Sequence, residues 1–178
     1  MKAQILWRKV HHWGAIIVAL PLLVMIAAGI LLMLKKDLDW IQPPTQKGIE
    51  RAMVPTQSFE QLFAVVSAIP EMNVTHWSEL ERVDVKPGKG VVKFVAANNW
   101  EAQVDTHTGE LLMLAKRRSD VIEAIHDGSW FAGWAKLWLF LPAGVVLLIL
   151  WITGIYLFVL PHYKKVQKRK RLEAKQQT

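Results

Sequence analysis

The chain has no cysteine, which excludes disulfides, thiolate metal sites and cysteine catalysis. It is compatible with an oxidising compartment such as a periplasm. Acidic residues are nearly missing from both ends. Residues 1–13 carry Lys2, Arg8 and Lys9 with no acid, and residues 161–178 carry seven Lys or Arg against Glu173 alone. The tails therefore hold +9, and the remainder, with 12 basic and 14 acidic residues, is −2. A basic excess confined to two tails is not the footprint of a nucleic-acid binder. Charge is also absent from two long stretches, Gly14–Leu34 (21 residues) and Leu137–Leu160 (24 residues).

About 20 helical residues cross a bilayer core, so both stretches read as transmembrane helices. The first is too long for a signal-peptide apolar region and lacks a clear small-residue cleavage site before Lys35-Lys36, so it reads as retained. The positive-inside rule puts both tails in the cytoplasm. The intervening segment of about 100 residues then lies outside, in the periplasm of a Gram-negative cell. Each span has a proline, Pro21 and Pro142, and small residues, Ala27-Ala28-Gly29 and Thr153-Gly154, that permit close helix contact. Trp7, Trp13, Trp138, Trp151 and Tyr156 are candidate interfacial anchors.

Between the spans, residues 35–57 contain Pro43-Pro44, Gly48 and Pro55 and read as a linker. Ser58 is a candidate N-cap for FEQLFAVVSAI, whose Leu62, Phe63, Val66 and Ile69 follow helical spacing up to Pro70. The period then changes. ERVDVKP, VVKFVAA, WEAQVD and LLMLAK read as four strands joined by turns at Pro87–Gly90, Asn98-Asn99 and Thr106–Glu110. The expectation is an α+β membrane protein, in which two transmembrane helices flank a small periplasmic domain of a helix on an antiparallel sheet. Its segments are a cytoplasmic tail 1–13, span 14–34, linker 35–57, domain 58–118, a short helix with a juxtamembrane segment 119–136, span 137–160 and a basic cytoplasmic tail 161–178.

Nothing in 58–118 has the spacing of a nucleophile with its base, or of a phosphate loop. His76 and His107 fall beside turns. Chemistry concentrates at the span ends. His11 and His12 precede the first span and His162 follows the second. His126 lies in a short helix capped by Ser119 or Asp120, with Glu123 three residues after Asp120. Glu123 and His126, three apart, share a face. Imidazoles from two copies can supply both axial ligands of a b-type haem. Two helices enclose little, whereas a homodimer makes a four-helix bundle able to hold a cofactor. His11 and His126 are the leading ligand candidates, with His12 and His162 behind them. A span of ~35 Å from residue 11 to residue 34 keeps His11 and His126 of one chain from sharing one iron. Glu123, His126 and Asp127 form an alternative, looser site receiving ferric ion. Simple anchoring is the plainest role for all of these histidines.

Four blocks, LWRKVHHWGAIIVALPLLV, NNWEAQVDTHTGELL, RRSDVIEAIHDGSWF and LWITGIYLFVLP, resemble, in order, the PepSY-associated transmembrane helix family over about residues 5–163. The resemblance implies a PepSY module between the spans. For the family's larger members it implies reduction of ferric iron or ferrisiderophores outside the inner membrane with haem as carrier, and for its small, two-span VciB-like type ferric reduction that feeds ferrous iron uptake. It maps Arg8 and His11 to the first motif and His126, Asp127 and Gly128 to the second. The reading is an inner-membrane ferric reductase, with haem b held by His11, His126, Arg8 and His162, and His126 as the catalytic residue. Its partners would be a second copy, the bilayer, an electron donor and a ferrous iron transporter. The alternative is a non-enzymatic, membrane-anchored accessory protein whose PepSY module binds a transporter or protease.

Overall fold

The computed structural model describes residues 2–50 and 54–176, with side chains over 5–50 and 54–167. Arg51–Met53 of the expected linker, Gln177-Thr178 and the tail side chains from Lys168 onward lie outside the described residues. The chain forms two compact units: Gly29–Glu123, and a second one that runs to Ala28 and resumes at Ala124.

The second unit is helical. Helix α1 spans Lys2–Met33, so it includes the residues before the uncharged run, and the last helix, α4, spans Leu141–Gln176. Each has the length and hydropathy to cross a membrane, and only about a sixth of either apolar window is buried within the chain. Ile17, Leu20, Leu23, Trp138 and Phe158 are each more than 60% exposed. Apolar surface on that scale has to be covered by lipid or protein, so the unit has the two spans of a membrane protein. The helices touch through Val18, Ala143 and Leu150, with Ala15, Leu22 and Val146 around them. Gly14 allows this approach. A Cβ there would sit 3.4 Å from the Leu150 side chain.

Pro142 falls in the first turn of α4 rather than in its interior, where a missing N–H is tolerated. A π-helical turn, Lys136–Phe140, precedes it, and the Leu141 N–H closes that turn on the Lys136 carbonyl. Pro161 lies inside α4, which continues through the start of the basic tail.

The unit Gly29–Glu123 is α+β. Helix α2, Phe59–Ser67, opens on a reciprocal cap: Ser58 Oγ accepts from the Gln61 N–H at 3.2 Å, and Gln61 Oε1 accepts from the Ser58 N–H at 2.8 Å. Strands β1 (Leu80–Lys86), β2 (Val91–Ala96), β3 (Trp100–Asp105) and β4 (Leu111–Lys116) form an antiparallel meander in the order β1-β2-β3-β4. The alternation of each strand puts Val92, Phe94, Ala96, Ala102 and Val104 on one face, where they pack with Leu62 and Val66 of α2 and with Met72 and Val74. Trp77 stacks on Phe63 at the rim, 4.8 Å between ring centres.

The opposite face carries Lys93, Glu101, Gln103 and Asp105, and it too is buried. The expected linker covers it. Gln103 Oε1 accepts from the Gln46 N–H at 2.8 Å, and Gln103 Nε2 donates to the Pro44 carbonyl at 2.9 Å. Asp105 Oδ2 accepts from the Ile49 N–H at 2.7 Å. The Gly48 N–H donates to the Lys89 carbonyl at 2.8 Å, and a Cβ at Gly48 would run into the Gly90 carbonyl. The backbone of Ile41, itself fully buried, accepts from the N–H groups of Arg118 and Ser119. Residues 41–49 of the expected linker are thus an integral layer over the polar face.

Glu101, fully buried, binds Lys93 Nζ at 2.9 Å through Oε1 and Arg117 Nη1 at 2.9 Å through Oε2. Arg117 Nε continues to Asp120 at 3.0 Å, and Arg82 meets the same Asp120 at 3.3 Å. The last helix of this region, α3, is Ser119–Asp127. It begins at Ser119 itself. The Asp120 carboxylate is used by Arg117, Arg82 and the Ser119 hydroxyl, in place of the expected cap box with Glu123.

Candidate functional site

The two leading histidines both lie in the helical unit, and both are held the same way. His11, half-buried on α1, has Nδ1 3.3 Å from Thr153 Oγ1 of α4. The Thr153 hydroxyl proton is already donated to the Leu150 carbonyl at 3.0 Å. With its proton there, Thr153 accepts from the His11 tautomer that carries the hydrogen on Nδ1. His126, at the end of α3, has Nδ1 2.8 Å from the Met25 carbonyl of α1. A carbonyl oxygen only accepts, so Nδ1–H is again the donor. Each ring, when neutral, then presents Nε2 with its lone pair, and neither Nε2 has a partner among the described residues. A ring fixed through Nδ1–H with Nε2 left open is the usual arrangement of a metal-binding histidine.

Their levels differ. His126 meets α1 at Met25, inside the uncharged run and nine residues before its end at Leu34. Fourteen residues separate 11 from 25, which is ~21 Å along an ideal helix. One iron cannot take both rings of one chain. Small residues leave room beside His11: a Cβ at Gly154 would lie 3.8 Å from His11 Cε1.

The turn after His126 explains its placement. Gly128 has φ +84°, and a Cβ there would collide with the Phe140 ring. Asp127 Oδ1 accepts from the N–H and hydroxyl of Ser129, and Oδ2 from Lys136 Nζ at 2.6 Å. Partial burial pushes the Asp127 carboxyl up, but these hydrogen bonds and the Lys136 charge outweigh it and hold it at about 2.

The remaining candidates are not brought to the two rings. His162 Nδ1 faces the Phe158 carbonyl one turn back at 3.4 Å, on an exposed stretch of α4. Arg8 and Glu123 are exposed. His12 is exposed and meets Trp13 edge-on at 5.6 Å. In the other unit, His76 precedes a short turn whose Glu79 accepts from the Thr75 and His76 N–H groups. Those bonds lower the Glu79 carboxyl against a smaller opposing effect of desolvation. His107 binds Thr56 Oγ1 at 3.2 Å and faces Glu50 at 3.6 Å. Among the described residues no group of three His, Asp or Glu side chains could hold a metal ion, so Glu123, His126 and Asp127 are not gathered into a centre. Sequence reading missed Thr153 and the Met25 carbonyl. A lone threonine between apolar residues was the one available signal for the first, and a backbone acceptor leaves none.

The family model described as the PepSY-associated TM region matches residues 8–177. The chain belongs to this family. Every candidate from Arg8 to His162 falls within the match, as do both spans and the α+β unit. No curated protein and no solved structure matches the chain. As a member of the PepSY-associated TM region family, the chain is a membrane-anchored protein whose α+β unit lies between its two spans.

Proposed function

We propose that this protein is an inner-membrane ferric reductase, with both termini cytoplasmic and the α+β unit periplasmic, that supports ferrous iron uptake. One observation carries the reading. Two histidines of the helical unit, His11 on α1 and His126 on α3, meet the spans at levels ~21 Å apart, each with Nδ1 tied to an oxygen and Nε2 open. That donor chemistry fits b-type haem, which when bound supplies one-electron carriage at a potential set by its ligands and burial.

His11 and His126 would each give one axial nitrogen, and a second copy would give the other, because two helices cannot surround a macrocycle. The exposed apolar faces of α1 and α4 offer the surface for that second copy. Thr153 and Met25 set the ring orientations. Ferric iron is the substrate, gaining one electron to become ferrous, and the electron source is a quinol or a cytoplasmic donor. His126 belongs to the level nearer the C-terminal end of α1, and Arg8 and His162 would serve the cytoplasmic end only by accompanying His11.

The test is the absorption spectrum of protein purified in mild detergent from haem-replete cells, before and after dithionite. A Soret band with α and β bands that sharpen on reduction is expected, and His11→Ala and His126→Ala should each lose part of it. A colourless wild-type protein overturns the reading. It would favour the second one, an anchored accessory protein that binds a transporter or protease through its PepSY unit. The closed core of Gly29–Glu123, packed on both sheet faces, favours that alternative.

A further inference from the structure

The α+β unit contains a cavity of about 730 Å³ with a strongly one-sided charge. Lys35, Lys36, Lys86, Lys89, Lys93 and Arg117 line it, against Asp84 as the only acid in the wall among the described residues. Including the groups bonded behind the wall, Arg82, Glu101 and Asp120, seven cations stand against three carboxylates. Lys93 and Arg117 are neutralised by Glu101 and Asp120. Lys35, Lys36 and Lys86 have no carboxylate partner among the described residues. Lys89 Nζ reaches only the Thr45 carbonyl, at 3.3 Å.

A second observation points into the same cavity. Gln42 is on its wall, and Gln42 Oε1 is the one buried side-chain polar atom without a partner among the described residues. An orphaned acceptor is costly unless a donor fills it. The ligand that satisfies the whole wall is therefore an anion that also carries a hydrogen-bond donor, for which a hydroxyl is sufficient. Carboxylates are recognised best by a guanidinium fork, but the Nε and Nη1 of Arg117 are taken by Asp120 and Glu101. The unpaired cations are ammonium groups, which bind phosphate as point charges. Lys35 and Lys36 follow Leu34, one residue past the end of α1 at Met33, so two of the wall's cations come just after the first apolar helix in the chain.

We propose that this cavity binds a hydroxyl-bearing phosphate ester, with Lys35, Lys36, Lys86 and Lys89 on the phosphate and Gln42 accepting from the hydroxyl. Two sources share that chemistry: the glycerol headgroup of an anionic phospholipid, and a free glycerol phosphate. The site does not depend on the haem reading.

The experiment uses the full chain in detergent and measures binding of four probes: short-chain phosphatidylglycerol, the matched phosphatidylcholine, the matched phosphatidic acid and glycerol phosphate. Phosphatidylglycerol should bind more tightly than phosphatidylcholine, less so as salt rises. Lys35→Gln with Lys86→Gln, two lysines outside any ion pair, should weaken it about 25-fold, at about fivefold for each charge. Gln42→Leu should erase the preference for phosphatidylglycerol over phosphatidic acid. Binding of glycerol phosphate as tightly as the lipid would assign the free ester, and binding of the lipid alone would assign the headgroup. Equal binding of phosphatidylcholine, or affinity unchanged by the double lysine variant, overturns the site.

Discussion

Glu101→Gln removes one negative charge from the centre of the polar layer and replaces one acceptor oxygen by an NH2, where Lys93, Gln103 and Arg117 all donate to the carboxylate. Glu101 is fully buried, Lys93 is 2% exposed, and both cations it holds lie at 2.9 Å. Taking one partner from a buried ion pair costs about 3–5 kcal/mol, because the other charge stays behind uncompensated. Here Lys93 bears that cost, since Arg117 keeps Asp120. The loss is legible as hydrogen exchange of the β2 and β3 amides in the full-length protein, which report the opening of their own unit. At about 1.4 kcal/mol per factor of ten, protection should fall by roughly two to three and a half decades. Adding Lys93→Met to the same chain removes the stranded ammonium and should restore most of the protection. If Glu101→Gln leaves protection within a factor of ten of wild type, the layer is wet and the reasoning fails.

Two further outcomes follow from the same geometry. Burial raises the Asp105 carboxyl, and the N–H groups of Thr108, Ile49 and His107 more than offset it, so it titrates below its ordinary value. A depressed carboxyl stabilises above the unfolded pKa, and that stabilisation is lost as pH falls through the lower folded one. Exchange of the Ile49, His107 and Thr108 amides should therefore quicken below about pH 4, and Asp105→Asn should show no such acid step. Gly128→Ala should destabilise the turn after His126 by about 2 kcal/mol or more, through its φ of +84° and the clash with Phe140. Phe140→Ala should relieve only the steric part, and exchange of the Trp130 amide, bonded to the Ala124 carbonyl, reads both effects.

The strands were legible because their alternation is physical: Val92, Phe94, Ala102 and Val104 face a core. The same alternation says nothing of what covers the other face. Lys93, Glu101 and Gln103 have the spacing of a solvated surface, and only a cover that arrives from residues 41–49 makes them interior. That cover binds through backbone N–H and C=O groups, which any sequence possesses, so Pro43-Pro44 and Gly48 read as a loose linker. His11 and His126 could be singled out by type and by position near the spans. Their tautomers could not, because these depend on Thr153 and on a carbonyl 101 residues from His126. The level of His126 was also out of reach, since the Gly128 turn that sets it against Met25 acts through conformation rather than through a periodic pattern.

The cover over the polar face has a consequence for how the chain is made. Residues 41–49 emerge from the ribosome early, yet the groups that receive them, Gln103, Asp105 and the amides of Arg118 and Ser119, come 56 to 78 positions later. Until the start of α3 is synthesised, the docking of this segment is incomplete, and long-range closure of this kind is slow. The next apolar helix begins at Lys136, only a short stretch beyond. Completion of the α+β unit and membrane entry of the second span therefore fall in the same interval of translation. A defect that delays closure leaves buried-type charges unshielded at the moment the second span is being handed to the bilayer.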